Sequence, residues 1–238
     1  LVNTLIPGTT VTLGRQRINL DDQRFVGNVG WRQNEQTFDA VRVVNRSITG
    51  LVLDATYLNQ VNRVFGKDSP QGRYEGDGYL ANAAYQTSWG RLTGFGYVFD
   101  FDPLAFVPAA PALDPARVST ATYGVRFAGE KPVGRVRLGY IASVATQDDY
   151  GGNPLNFSNM YWLGELNATY RQYSLGAGYE SLGGDGVAGF ATPLATLHRY
   201  QGWADKFLAT PVNGLNDRYV TAGLQMKGVG LLETLSTT

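Results

Sequence analysis

Between Arg135 and Val144 the chain changes character at almost every residue. Val136, Leu138, Tyr140, Ala142 and Val144 hold one parity, Arg135, Arg137, Gly139 and Ser143 hold the other, and Ile141 is the misfit. Successive side chains of a strand point to opposite faces, so this run predicts a strand with one apolar and one aqueous side. Further along, Trp162, Leu166, Ala168 and Tyr170 oppose Glu165, Asn167, Thr169 and Arg171; Leu175, Ala177 and Tyr179 oppose Gly176, Gly178 and Glu180; Val220, Ala222, Leu224 and Met226 oppose Thr221, Gln225 and Lys227. Runs of this kind, bounded by Gly, Pro, Asn and Asp, predict about a dozen strands. Their expected spans are 9–20, 24–33, 37–47, 51–65, 79–89, 91–101, 119–129, 133–146, 159–171, 173–182, 217–227 and 231 onward.

Several of these runs reach ten residues or more, the length of a tilted strand crossing a bilayer, where an ordinary strand has about five or six. No apolar stretch approaches the roughly 18 residues of a spanning helix, so a membrane protein of this kind would be a barrel. Only 17% of residues are charged, yet mean hydropathy is −0.18, as an alternating pattern produces by averaging two unlike faces. Connections also alternate, with short links near 89–90, 129–132, 171–173 and 227–230 and long ones at 66–78, 102–118, 147–158 and 183–216. That places the long loops at one end of an all-β, antiparallel, up-and-down transmembrane barrel. Two early links, near Asn34 and Ile48, are both short and depart from the rule. Phe95, Tyr97, Phe99 and Phe101 share one parity and suit a lipid-facing girdle and a packed core equally.

Residues 1–5 read as the end of an earlier strand and 231–238 as one that stops mid-course, without a signal peptide ahead. The expectation is a single barrel domain over 1–238, incomplete at both ends, with about 12 of some 16–18 strands.

The stretch 13–40, LGRQRINLDDQRFVGNVGWRQNEQTFDA, sets arginines against rings in strand-like order. Arg24, Asn28 and Arg32 are expected to face water, and Phe25, Val29 and Trp31 lipid. Arg15 and Arg17 share parity with Val11 and Leu13, so both reach a pore only if a bulge interrupts their strand. Arg42, Arg126, Arg135, Arg137 and Arg171 are further arginines expected on strands, with Asp39, Asp54, Glu165 and Glu180 as acidic partners. Together they predict a basic pore lining that concentrates anions.

Other chemistries find little support. There are no cysteines, and 20 basic residues balance 20 acidic ones, which argues against thiol chemistry and nucleic-acid binding. His198 is the single histidine and reads as a loop residue; Asp100, Asp102, Asp148 and Asp149 lack EF-hand spacing, and no glycine motif precedes a helix. No cofactor or metal is expected. Residues 200–208, YQGWADKFL, with Trp203, Asp205 and Lys206, form a candidate lid or inward plug in the longest loop.

The run 13–40 together with RYQGWADKFLATPVNGLNDRYVTAGLQMKGVG at 199–230 resembles the alginate-export family of Gram-negative outer-membrane porins. The resemblance implies a monomeric barrel in outer-membrane lipid, with more strands than are counted here. It also implies an arginine-lined constriction, to which Arg15 and Arg17 transfer best and Arg24 and Arg32 next. The expected function is a channel, not an enzyme, for anionic solutes or acidic, alginate-like saccharides. A barrel-embedded hydrolase using His198 and a structural or adhesive barrel acting through its long loops are the alternatives.

Overall fold

In a computed structural model of the chain, residues 2–3, 6–104, 113–201, 204–229 and 232–237 are described, with side chains for 6–104, 113–201 and 204–225. Twelve strands, β1 (Val2–Asn3), β2 (Thr9–Gln16), β3 (Thr37–Asn45), β4 (Leu51–Asn62), β5 (Arg73–Gln86), β6 (Arg91–Phe101), β7 (Thr120–Val133), β8 (Val136–Asp149), β9 (Ser158–Tyr170), β10 (Tyr173–Leu182), β11 (Leu215–Val229) and β12 (Leu232–Thr237), form one sheet in chain order. Every neighbouring pair is antiparallel. This is an up-and-down porin-type wall, a partial barrel among the described residues.

The tight turns follow from local chemistry. Val133 pairs with Val136 around Gly134 (φ 62°), and Tyr170 with Tyr173 around Arg171 (φ 54°). Two-residue hairpin links favour positive φ because it matches strand twist. Arg135 and Arg171 therefore sit in exposed turns rather than on strands, a correction to the sequence reading.

Exposure divides the two faces. On one, Phe38, Leu58, Val61, Leu80, Tyr97, Phe101, Tyr161 and Leu182 are buried; on the other, Leu13, Val41, Leu53, Val125, Leu138, Leu166, Leu175 and Val220 are exposed. The outer face carries aromatics at two levels. Tyr57, Tyr79, Tyr123, Trp162 and Tyr179 lie toward the long loops, and Tyr85, Trp89, Tyr170 and Tyr173 toward the short turns. Tyr79 and Tyr85, like Tyr173 and Tyr179, stand six residues apart, about 20 Å at ~3.3 Å per residue. Two girdles around an apolar band of that order are the mark of a barrel wall in lipid.

The ring row of β6 faces inward, which the sequence left undecided: Phe95, Tyr97, Phe99 and Phe101 are all buried. The span 24–33 is not a strand. Asp21, Gln23 and Val29 take φ of 48°, 68° and 53°, outside the extended region, and residues 17–36 run as a 20-residue inward loop. This correction restores the alternation of connections, since the long links that follow β2, β4, β6, β8 and β10 all leave the wall at one end and the short links at the other.

Candidate functional site

Two loops far apart in sequence fill the space inside the wall. Val26 and Leu194, both fully buried, form a parallel bridge between segments 17–36 and 183–214. Around it, the Gly27 N–H donates to the Leu194 carbonyl (2.9 Å), the Thr196 N–H to the Gln23 carbonyl (3.1 Å), and Gln36 Nε2 to the carbonyls of Gly27 (2.9 Å) and Leu194 (3.1 Å). Gly27 is needed for this approach, because a Cβ there would stand 2.4 Å from Thr196 Oγ1.

Side chains then attach the pair to the wall. Phe25, expected to face lipid, instead packs inward with ring-centroid distances of 5.0 Å to Phe95, 5.2 Å to Tyr161 and 6.1 Å to Phe190. Its alternation with Arg24 reflects packing on two sides of a loop rather than lipid and water. Asp22 accepts from Arg126 on β7 (2.9 Å), and Gln147 of β8 bonds both to Thr122 (2.8 Å) and to the Ala191 backbone (2.8 and 2.6 Å). Asp21 accepts from Asn82 (3.3 Å) and Thr93 (3.4 Å).

The arginines expected to line the pore fall into separate groups. Strand β2 pairs with β3 in continuous register from Thr9 to Gln16, without a bulge. Arg15 therefore keeps the parity of Val11 and Leu13 and lies on the outer face, in a bidentate pair with Asp39 (2.7 and 2.8 Å). That removes both residues from the interior. Arg17, in the loop, pairs with Glu35 (2.5 Å). Arg24 is buried against Glu180 (2.5 Å). Arg42 and Asp54 pair on the inner wall (2.5 Å), as do the exposed Arg137 and Glu130 near the short turns (3.4 Å). Glu165, also on the inner wall, accepts from the Tyr219 hydroxyl (3.0 Å).

Unpaired positive charge lies instead at the long-loop end. A cavity of about 370 Å³ is lined by Arg32, Arg63 and Arg117, by the carboxylates of Asp114 and Asp205, and by Trp31, Tyr74, Phe157 and further polar and apolar groups. Among the described residues, none of these three guanidiniums forms an ion pair. Arg63 lies 4.3 Å over Tyr74 and 5.0 Å from the Phe65 ring, and burial lowers its pKa, as befits a cation desolvated without a carboxylate. Arg32 stacks over Trp31 at 4.5 Å, and His198 lies against the same indole at 4.3 Å while Nδ1 contacts Asp205 (2.9 Å). Trp31 therefore belongs to the mouth, not to lipid. Lys206 is exposed, and Trp203 lies outside the described residues.

Sequence reasoning missed both Arg63 and Arg117. Arg63 fell inside the expected strand 51–65, whereas β4 ends at Asn62, and Arg117 lay in an expected long link whose charges were passed over in favour of arginines on strands.

Neither a protein-family model nor a curated protein matches this chain. Solved structures do. The chain is similar to OccK9 (OpdG) of Pseudomonas aeruginosa, with a TM-score of 0.66 and 18% identity over 92% of this chain and 53% of that one. It is also similar to OpdK of the same organism, solved with vanillate (TM-score 0.65, 16% identity, 95% and 57%), and to OccK2 (OpdF), solved in complex with glucuronate (TM-score 0.59, 15% identity, 76% and 46%). The chain thus spans about half the length of these porins. Their fold, joined to the lipid-facing girdles, gives a porin-like β-barrel wall in the bacterial outer membrane. This corrects the finer expectation of alginate-export membership to the porin fold at large.

Proposed function

We propose that this chain forms part of a monomeric outer-membrane channel, not an enzyme, that admits small organic anions carrying a carboxylate on a ring. The observation that carries the reading is the mouth cavity, where three guanidiniums, none in an ion pair among the described residues, outnumber the two carboxylates of Asp114 and Asp205 and stand among aromatic side chains. A carboxylate gains charge-assisted, often bidentate hydrogen bonds from arginine, and a ring gains contact with Trp31, Tyr74 and Phe157. Vanillate and glucuronate, present in structures of two similar porins, have this chemistry. Glucuronate is also a uronate, so the acidic-saccharide expectation is retained at the size of a monomer. The interior packed by segments 17–36 and 183–214 favours a small solute over a polymer threading the lumen.

In planar bilayers under a salt gradient, the whole protein is expected to show a reversal potential of anion-preferring sign. Millimolar vanillate or glucuronate should reduce the chloride current. Cation preference, or current indifferent to both solutes, overturns the reading.

A further inference from the structure

We infer that Arg24 is the positioning residue that sets the bore of this channel, by bolting both inward segments to the wall as one body. The inference rests on the channel reading above. Arg24 comes from segment 17–36, yet its side chain is only 3% exposed and reaches three other parts of the chain. Nε donates to Glu180 Oε1 on β10 (2.5 Å), and Nη2 donates to Gln201 Oε1 in segment 183–214 (2.9 Å). The guanidinium lies 4.7 Å from the Tyr200 ring and 5.8 Å from that of Tyr161 on β9.

Glu180 is in turn fully used. Its Oε1 also accepts from the Tyr161 hydroxyl (2.7 Å), and its other oxygen accepts from Gln201 Nε2. Four stretches of chain, segment 17–36, β9, β10 and segment 183–214, therefore meet at one buried charge pair. A guanidinium can do this because its planar fork offers donors in several directions, whereas an ammonium is a single point. Buried and spoken for, Arg24 is unsuited to bind solute, and it acts through the segments it holds.

Room for movement lies beside it. A cavity of about 340 Å³ borders the clamp, lined by Asp22, Glu165, Glu180, Tyr200, Gln201 and Tyr219. Removing one partner leaves the other charge buried and unpaired, an imbalance large enough to shift the ratio of docked to undocked segments about a hundredfold. The undocked segments widen the lumen.

The test compares wild type, Arg24→Met, Arg24→Lys and Glu180→Gln of the whole protein, each checked for the SDS-resistant folded barrel. Conductance is read in bilayers, and the size limit by liposome swelling in neutral sugars of increasing length. Arg24→Met and Glu180→Gln are expected to conduct more, with open-state noise, and to admit larger neutral sugars, while Arg24→Lys rescues only in part. Neutral sugars report bore and not charge, so a purely electrostatic role leaves them unmoved. Folded variants with wild-type conductance and size limit overturn the clamp while leaving the channel standing. If Arg24→Met does not fold, Glu180→Gln decides by the same readings. A wild-type protein that forms no channel sinks both readings together.

Discussion

Replacing Arg32, Arg63 and Arg117 together with glutamine is expected to abolish anion preference and to weaken block by vanillate at least a hundredfold. Hydrogen bonds to charged groups contribute about 1.5–3 kcal/mol each, and about 1.4 kcal/mol is tenfold in affinity. The three residues should not contribute equally. Arg63, desolvated and held over Tyr74, acts in the lowest local dielectric, so Arg63→Gln alone should cost roughly tenfold or more. Arg32 is exposed beside Trp31, where salt screens it, so Arg32→Gln should show the smallest effect and lose it at high ionic strength. Titrating the current block for each single variant at two salt concentrations gives the order directly. Equal block in the triple variant and the wild type would remove the mouth cavity from the permeation route.

Phe190→Ala should release segment 183–214 without dissolving the wall. Phe190 is fully buried and lies 5.6 Å from the Tyr161 ring and 6.1 Å from that of Phe25, so it joins β9 to both segments. Truncating a buried Phe costs about 3–5 kcal/mol through lost burial and the cavity left behind. Strand pairing on either side does not pass through this ring, so the loss falls on docking. Limited proteolysis of the folded protein in detergent should cut residues 183–214 orders of magnitude faster in the variant, with Phe190→Leu in between. An unchanged cleavage rate would mean that backbone bonds such as Gly27 to Leu194 hold the segment alone.

How much of this was legible in the sequence depends on what a residue's partner is. Where the partner is the adjacent strand, the pattern was sufficient. Strand β6 was expected at 91–101 and is found at Arg91–Phe101, and Ile141, the misfit of its strand, faces inward among polar neighbours because it packs against the core. Where the partner is distant, the pattern misled. Arg24 and Phe25 alternate as strand residues do, but what holds them is Glu180, Tyr161 and Phe190. Nothing local encodes that meeting. Arg15 shows a third case, since its parity with Leu13 already pointed outward and only the search for a basic lining turned it inward. Continuous pairing with β3 and the bond to Asp39 return it to the outer face.

The order of strands in the sheet has a consequence for assembly. Each strand pairs with its neighbour in sequence, so the wall can zip hairpin by hairpin with little loop-closure entropy at each step. The interior contacts are of another kind, since Arg24 reaches Glu180 across 156 positions and Gln201 across 177. They can form only after the wall has brought its distant parts together, so the lumen is expected to close late in folding. Pulsed hydrogen exchange during refolding should protect the amides of β7 and β8 before that of Gly27. Until then the nascent barrel stays hollow and compliant, free to adjust its girth to the lipid while its own contents are still outside.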